Sequence, residues 1–359
     1  MKHVSELQKV LSHFLDWNKS RVICLAQILQ ALFRVRTINL TQIAAAFQAE
    51  VKEESCYRRV CRFFTEFSFD MSTIVLIILH LFPLEEKYLL ILDRTNWKWG
   101  KTPINILMLS IAYKGISIPL FWVVLDLEGN SSTADRVAML KRVLEKFGSK
   151  KIEALLADRE FIGAEWFHFL MEQKIPFVIR IKRSFLAEGI RENEAVPINE
   201  LSKGLGRKKI LNRLITLWGL PLYVSIQKKK RSKEPMIIVS NMIFENALWV
   251  YKRRWEIETL FGCLKTRGFR MEDTHISDPD KIERLVFVLA IAFCWAYRIG
   301  DIQVKSEPIP IKAHGRPARS LFREGVDCIR QAFFRCMPPR KFRRLLSCFD
   351  YLNPMGCAA

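Results

Sequence analysis

Residues 88–93 read YLLILD, a continuous apolar run that ends at an acidic side chain. A short apolar run of this kind, followed by turn signals, is typical of a strand buried on both faces. The apolar runs at 104–113 and 118–125 predict two more strands, and Lys114 and Gly115 predict a tight turn near 114–115 between them. The central part of the chain is therefore expected to begin as a meander of three strands.

After this meander the sequence alternates helical and strand patterns. The predicted elements are a helix over 132–147 capped by Ser132 or Thr133, a strand over 152–157 that ends at Asp158, a helix over 164–173 and a fifth strand over 176–181. This is the order of a ribonuclease H-like fold of the α/β (α+β) class, with helices against a mixed five-stranded sheet. Its first and fourth strands are neighbours, so we expect the carboxylates of Asp93 and Asp158 to converge at one sheet edge.

Residues 183–240 fit no further helix of this core. They contain the basic patches 207–209 and 228–231 and three β-rich pieces, at 213–218, 222–227 and 236–240. We interpret this segment as a β-rich insertion that follows the fifth strand.

The positive charge of the chain is concentrated in its second half. The chain has 57 Lys and Arg against 37 Asp and Glu, a net charge of +20. Residues 205–270 hold 15 basic and 4 acidic side chains, and residues 305–345 hold 11 and 3. An imbalance of this size indicates a polyanionic partner, either nucleic acid or an anionic membrane surface. The alternative is that the excess positive charge only promotes solubility, but the clustering of this charge in two segments favours nucleic acid.

These features divide the chain into three predicted domains. They are a helical DNA-binding domain over 1–83, a catalytic domain over 84–300 and a basic helical region over 301–359. Two short helices in the first domain, the second with Arg58, Arg59 and Arg62, match a helix-turn-helix DNA reader. A plain helical bundle with a basic face fits the same pattern, and the sequence leaves both interpretations open.

The residues Tyr251, Arg254, Glu258 and Lys265 are spaced at intervals of three, four and seven. On a regular helix, with roughly 100° per residue, they share a stripe about 60° wide. A metal-binding carboxylate beside cations and a phenol that grip phosphate suits phosphodiester chemistry. An amphipathic helix with a solvated charged face gives the same spacing.

Glu258 becomes more informative beside Asp93 and Asp158. Each carboxylate alone has a simpler explanation without function, because acidic residues often end strands only to face water. Together the three are able to bind two divalent ions roughly 4 Å apart. Hard oxygen ligands without clustered His or Cys favour Mg²⁺ or Mn²⁺ over zinc.

The chain resembles the DDE transposases of bacterial insertion sequences, and most closely the insertion-sequence-four group with its Tyr-Arg-Glu-Lys pattern. The whole pattern is present at Tyr251, Arg254, Glu258 and Lys265. The residues around the two aspartates, LDRTNW at 92–97 and ADREF at 157–161, are also similar to this group, as is the segment at 315–323. The resemblance covers roughly residues 85–325.

The resemblance implies a cut-and-paste mechanism on double-stranded DNA. The enzyme would bind the terminal inverted repeats of its element and pair them in a synaptic homodimer. Asp93, Asp158 and Glu258 would hold two Mg²⁺ ions. A water molecule would cleave the transposon end, the released 3′-hydroxyl commonly forms a hairpin in this group, and the opened end is joined to target DNA.

The resemblance also suggests roles for other residues. Arg254 and Lys265 would hold phosphates, and Tyr251 would bond a phosphate beside a flipped nucleotide. Trp218 in the insertion is the candidate to stack on the flipped base, although a packed core tryptophan fits equally well. Arg159 and Glu160 either support the second aspartate or form a surface ion pair.

Two other activities remain open on this evidence. One is a ribonuclease H-like nuclease without strand transfer, and the other is an inactive copy that acts as a DNA-binding repressor. The basic insertion and the intact set of carboxylates favour the transposase.

The cellular setting follows from the cysteines and the apolar runs. The nine cysteines form no CxxC pair, which predicts reduced thiols. The apolar runs at 74–82 and 285–297 are shorter than the roughly 20 residues of a membrane span. We therefore expect a cytoplasmic protein without a membrane segment. The resemblance to transposases of bacterial insertion sequences implies a bacterial protein that is associated with the nucleoid.

Overall fold

The computed structural model describes residues 2–47, 51–66, 69–125, 129–192, 194–203, 205, 209–228, 234–335 and 337–349. The helices of these residues are α1 (Lys2–Ser12), α2 (Lys19–Val35), α3 (Leu40–Ala45), α4 (Glu53–Glu66), α5 (Met71–His80), α6 (Thr133–Phe147), α7 (Ala164–Glu172), α8 (Ala247–Lys252), α9 (Glu256–Leu264), α10 (Pro279–Ser306), α11 (Leu321–Phe334) and α12 (Pro339–Leu346). The strands are β1 (Tyr88–Trp99), β2 (Thr102–Tyr113), β3 (Ile116–Leu125), β4 (Ile152–Ala157), β5 (Phe177–Arg180), β6 (Leu186–Arg191), β7 (Glu194–Pro197), β8 (Lys209–Leu217), β9 (Leu220–Gln227) and β10 (Met236–Ser240).

The strands of the described residues form one mixed sheet, in the order β3-β2-β1-β4-β5-β10-β9-β8-β6-β7. β1 and β4 are parallel neighbours whose last pair is Leu92 and Ala157, which confirms the predicted adjacency of the first and fourth strands. β4 and β5 are also parallel, and β2 and β3 form the predicted antiparallel pair. The chain therefore has a mixed α/β architecture.

The sheet differs from the prediction at the end of β1. The strand does not end at Asp93, because only its continuously buried part ends there and the strand continues to Trp99. The predicted insertion over 183–240 is β-rich, with strands β6 to β10, and it joins the core sheet because β10 pairs antiparallel with β5. The free edge of β5 would otherwise expose unpaired N–H and C=O groups, and the insertion satisfies them.

The helices α6 and α7 lie at the predicted positions, and the start of α6 has a clear local cause. The Ser132 hydroxyl accepts a hydrogen bond from the backbone N–H of Asp135 at 3.1 Å. The Asp135 carboxylate in turn accepts one from the backbone N–H of Ser132 at 2.8 Å. This reciprocal capping box satisfies two N–H groups at the start of the helix, so Ser132, one of the two predicted caps, is the N-cap.

The chain falls into two compact units. The helical unit contains residues 1–84, 96–104 and 260–359, and the sheet unit contains 85–95 and 105–259. The first division, after residue 84, lies next to the predicted boundary at 83. No division falls at the predicted boundary at 300, because the chain from residue 260 onward belongs with the N-terminal helices in the helical unit. The contact between α1 and α12 is one reason, since Glu6 binds Arg343 at 2.8 Å. DNA binding by residues 1–83 remains a prediction.

The centre of the helical unit is α10. Its residues from 285 to 300 are all buried, and the Trp295 ring packs edge-to-face against Phe33 and Phe333. The Trp295 indole N–H donates to the carbonyl oxygen of Leu345 at 3.0 Å. A helix that is apolar on all sides needs neighbours on all sides, and the helices before and after the sheet unit supply them.

α10 is longer than the apolar run in the sequence suggested. Among the described residues it is the single helix that alone is long and apolar enough to cross a membrane. However, 89% of its most apolar 18-residue window is buried inside the protein, as in a core helix. α4 and α5 meet the same criterion only when taken together across a bend. The absence of a membrane partner remains a prediction.

The crossing of α10 and α11 leads to a stability prediction. A Cβ atom added to Gly325 would overlap the carbonyl oxygen of Ala296, and the neighbouring crossing point, Gly300, meets the backbone of Leu321 in the same way. We expect Gly325→Ala to lower the free energy of unfolding by about 1–3 kcal/mol, because two backbones must separate to admit one methyl group. Chemical denaturation of the full-length protein measures this change.

Gly262→Ala is the matched control for this prediction. Gly262 also lies inside a helix, but its added Cβ would meet only the flexible end of the Arg267 side chain. Helix propensity alone favours alanine at both positions by up to about 1 kcal/mol. A stabilising effect of both substitutions would show that the helix crossing is looser than described.

Candidate active site

Asp93 and Asp158 occupy equivalent positions on neighbouring strands. Each directly follows the last residue pair of the β1–β4 ladder, Leu92 with Ala157. In each case one carboxylate oxygen accepts a hydrogen bond from the next backbone N–H, at 2.8 Å for Asp93 and 2.7 Å for Asp158. Because paired strands lie about 4.8 Å apart, the ladder brings the two carboxylates to the same edge of the sheet.

Arg254 connects this pair of aspartates to Glu258. Its Nη1 donates to Asp93 Oδ2 at 2.6 Å, and its Nη2 donates to Glu258 Oε1 at 2.9 Å. The arginine is buried, with 4% of its surface exposed, whereas Glu258 is exposed. Charge-assisted bonds of this length are among the stronger hydrogen bonds in proteins. One guanidinium therefore fixes a helix carboxylate relative to a strand carboxylate.

Burial dominates the electrostatics of Asp93. It raises the pKa of the Asp93 carboxyl to about 6, although the positive charge of Arg254 acts in the opposite direction. The charges of Glu160 and Asp158 raise it further. Burial also opposes the charge on Arg254, but Asp93 and the other acidic groups outweigh it and raise the pKa of the guanidinium. The site thus concentrates negative charge in a poorly solvated place and holds it with one buried cation.

Asp158 has partners of its own. The Tyr251 hydroxyl donates to Asp158 Oδ1 at 3.4 Å, and Arg180 Nη1 lies 3.9 Å from the same oxygen. Burial, followed by the charge of Asp158, raises the pKa of the Tyr251 phenol, so the phenol stays protonated and acts as a donor. The position of Arg180 beside Asp158 was not predicted from the sequence. The available signal was a single arginine at the end of an otherwise apolar strand that was predicted to follow Asp158.

A second ion pair ties together the segments that carry the two aspartates. Arg94 Nε lies 3.1 Å from Glu160 Oε1, and Arg94 Nη2 lies 3.2 Å from Glu160 Oε2. Arg94 Nη1 also donates to Asn105 Oδ1 at 3.0 Å. Glu160 therefore supports the site by pairing with Arg94. This role of Arg94 was not predicted from the sequence. Arg159 instead forms a 3.9 Å pair with Glu234 between two exposed side chains.

Two aspartates directly after the β1–β4 ladder, the first of them joined through Arg254 to a helix glutamate, agree with the three-carboxylate site that the resemblance implied. Comparison with known protein families agrees, because a transposase DDE domain matches residues 85–295, more than half of the chain. The chain belongs to the transposase DDE domain family. No curated protein matches the chain. The predicted membership of the DDE transposases is confirmed, whereas the insertion-sequence-four group remains a proposal.

The DDE domain implies divalent cations, and the donor set suits them. Three carboxylates with hard oxygen donors are the ligands that Mg²⁺ and Mn²⁺ prefer. The Arg254 guanidinium forms ion pairs with both Asp93 and Glu258, so these two carboxylates already face one shared positive charge. As they stand, the described residues contain no group of three His, Cys, Asp or Glu side chains that meets metal-site spacing. Metal binding by the three carboxylates therefore belongs to the proposal below.

The motif helix of the DDE domain is not one regular helix. A 3-10 turn, Arg253–Trp255, separates α8 with Tyr251 from α9 with Glu258. Lys265 follows the end of α9 and belongs to the helical unit, where its Nζ donates to the Asn96 carbonyl at 3.0 Å and pairs with Glu272 at 2.8 Å. The structure thus groups Tyr251, Arg254 and Glu258 with the aspartates in the sheet unit, and gives Lys265 other partners.

Trp218 lies at the turn between β8 and β9, where it has a φ of 54°. It is half-buried, and its ring packs edge-to-face against Phe167 and Phe185, with centroids 5.3 and 5.1 Å away. This packing matches the core-tryptophan interpretation. Its stacking on a flipped base remains a prediction.

The three basic residues of α4 have different surroundings. Arg58 is exposed and pairs with Glu54 at 2.6 Å. Arg59 Nη2 lies 3.4 Å from the Ser20 carbonyl oxygen, and Arg59 and Arg62 line a cavity of about 260 Å³ with Arg21. Part of the segment between α3 and α4, residues 48–50, lies outside the described residues, so the helix-turn-helix interpretation remains a prediction.

Proposed function

We propose that this protein is a transposase of the insertion-sequence-four group that binds the terminal inverted repeats of its element and catalyses strand cleavage and strand transfer. The observation that supports this most is the buried Arg254, which joins Asp93 and Glu258 beside Asp158 within a transposase DDE domain. The strand order β3-β2-β1-β4-β5 supports the proposed ribonuclease H-like core. Our proposal assigns catalysis to the three carboxylates at its edge.

In this proposal Asp93, Asp158 and Glu258 hold two Mg²⁺ or Mn²⁺ ions. Such ions, when bound, activate the attacking oxygen and stabilise the leaving oxygen of a phosphodiester. Arg254 orients Asp93 and Glu258 before DNA arrives, and Tyr251 and Arg180 hold Asp158. Preorganised carboxylates need no rearrangement when the substrate binds, which is the main contribution that a protein makes to this chemistry.

DNA binding in the proposal uses two residues of the carboxylate site together with basic residues outside it. Arg254, Lys265 and Tyr251 are proposed to contact phosphates near the scissile bond, Trp218 to stack on a flipped base, and Arg58, Arg59 and Arg62 to contact the transposon end. The protein would act as a homodimer that pairs two ends, in the cytoplasm of a bacterium and on its nucleoid. The charge excess of residues 205–270 supports a polyanionic substrate.

The decisive experiment supplies the full-length protein with a duplex that ends in the element's inverted repeat, together with a supercoiled target plasmid. We expect cleavage at the repeat and joined products with Mg²⁺ or Mn²⁺, and neither product with EDTA. Cleavage without joining would indicate the nuclease. Specific binding without cleavage under any metal would indicate the inactive repressor.

A further inference from the structure

The helical unit carries a row of arginines along α11 that plays no part in the site described above. Arg323 and Arg330 share one helix face with Asp327 and Phe334, because they follow one another at intervals of three or four. Arg319 lies just before the N-cap Ser320. Arg323 to Arg330 alone spans about 10 Å at 1.5 Å per residue. The row is therefore long enough to meet more than one phosphate of a duplex.

The last turn of α2 adds two arginines to this row. Arg34 Nη2 donates to the carbonyl oxygen of Phe333 at 3.2 Å. The Arg34 and Arg330 guanidinium carbons lie 5.7 and 5.2 Å from the centre of the same Phe334 ring. Arg36 is close enough to Arg323 and Arg330 for their charges to act on it. Two helices that are far apart in sequence thus build one basic surface.

A cavity of about 370 Å³ lies beside this surface and is lined by Arg319, Asp327, Arg330, Gln331, Phe334 and Arg335. Two carboxylates neutralise part of the charge, since Arg319 pairs with Glu324 and Arg323 pairs with Asp327 at 2.7 Å. We define the α11 arginine cluster as Arg34, Arg36, Arg319, Arg323, Arg330 and Arg335. Against these two acids it keeps a positive excess of four charges.

Part of this cluster is both half-buried and incompletely bonded. Arg36 and Arg330 have intermediate exposure, and among the described residues the buried Nε atoms of both lack a hydrogen-bond partner. Burial, and then the charge of Arg323, lowers the pKa of the Arg36 guanidinium. Crowded like charges with unused donors are unfavourable in the free protein and become favourable when an anion binds.

We infer that the α11 arginine cluster is a docking surface for the sugar-phosphate backbone of double-stranded DNA. The inference builds on the proposed function, which supplies DNA as the polyanion, and assigns DNA contacts to residues outside the carboxylate site. Guanidinium groups bind phosphates through paired N–H donors. A duplex offers one charge for each roughly 1.7 Å of its axis, which suits several cations spread along a helix better than one small anion does.

The test measures binding of the full-length protein to a 30-base-pair duplex without the inverted repeat, in EDTA, by fluorescence anisotropy over a range of salt concentrations. The double variant Arg36→Gln, Arg330→Gln is expected to bind roughly tenfold more weakly at 0.1 M salt. Its slope of log affinity against log salt should be smaller by about two, because two phosphate contacts are lost. Unchanged affinity and slope would overturn the inference.

Arg142→Gln with Arg191→Gln is the matched control, since it removes two exposed positive charges from the sheet unit. An equal loss of affinity in this control would show that net charge alone binds the duplex, and would overturn the inference. Thermal unfolding without DNA should leave the melting temperature of the cluster variant unchanged or raised. If it is lowered instead, Arg36→Lys with Arg330→Lys must keep the wild-type salt slope, and loss of that slope would overturn the inference.

Two further arms identify the ligand. If inorganic phosphate displaces the duplex at an ionic strength at which chloride does not, the cluster is a single-phosphate site and the inference fails. If the double variant loses binding to phosphatidylserine vesicles but keeps duplex binding, a membrane surface is the partner and the inference also fails. Metal-dependent cleavage of repeat-ended DNA is assayed in parallel. If the proposed function fails but the inference holds, cleavage is absent while the duplex still binds through the α11 arginine cluster.

Discussion

Replacing Glu258 with glutamine is expected to reduce metal-dependent cleavage of the transposon end by about a thousandfold or more. The substitution keeps the shape of the side chain but removes the negative charge that is proposed to bind a metal ion. Electrostatic stabilisation by a bound metal contributes several kcal/mol to a transition state, and each 1.36 kcal/mol corresponds to a factor of ten in rate. Single-turnover cleavage of a labelled duplex with Mg²⁺ measures the effect.

Glu256→Gln is the matched control on the same helix. Glu256 lies two residues before Glu258, and its carboxylate pairs with Arg253 at 3.0 Å instead of with Arg254. We expect cleavage by this variant within about threefold of the wild type, since Glu256 pairs with Arg253 and is not one of the proposed metal ligands. End binding in EDTA should stay within twofold for both variants. Comparable cleavage by the two variants would remove Glu258 from the proposed catalytic set.

Replacing Arg254 with methionine is expected to lower the free energy of unfolding by about 3–5 kcal/mol at pH 8. The substitution leaves Asp93 buried without its cation, and breaking one partner of a buried pair has a cost of this size. Arg253→Met is the control, because Arg253 is less buried than Arg254 and pairs with Glu256 only three residues away. A partly exposed pair between residues so close in sequence contributes about 1 kcal/mol or less. Urea denaturation at fixed pH compares the two variants.

The pH dependence of the Arg254→Met variant provides an independent check. The pKa of Asp93 is already raised by burial to about 6, and removal of the guanidinium takes away an effect that lowers it. A carboxyl with a raised pKa in the folded state binds more protons there than in the unfolded state, so stability falls as pH rises above the unfolded value of about 4. The loss caused by the substitution should therefore be small below about pH 6, where Asp93 is protonated in both proteins, and should grow as pH rises from 6 to 8. A pH-independent loss would argue against an ionised Asp93 as its cause.

Local sequence patterns predicted the core strands because each has a local cause. A six-residue run that is apolar except for Glu153 produces β4 within the predicted limits, and Ser132 with Asp135 places the start of α6. The end of β1 was not predictable in this way. Continuous burial ends at Leu92, but the strand continues through residues of mixed exposure to Trp99. Backbone pairing decides this continuation and leaves no apolar signal.

The candidate site was likewise predictable only in part. The nearness of Asp93 and Asp158 was predictable because strand order fixes which residues lie side by side at the end of the β1–β4 ladder. The partners of their side chains were not, since Arg180 and Arg94 reach the site from positions that no spacing rule relates to the aspartates. The 3-10 turn that separates Tyr251 from Glu258 also broke the regular 100° spacing used to predict a single stripe.

The sequence by itself predicted the order of the core strands and the three candidate acidic residues, and it determined the membership of the transposase DDE domain family, because these depend on local patterns and residue identity. Only the tertiary structure decided that Arg254 joins Asp93 to Glu258, that β10 extends the core sheet and that both chain ends share the helical unit. The physical reason is that each of these depends on a buried charge, an open sheet edge or an apolar helix face, whose partner is distant in the chain and is selected only when the whole chain folds.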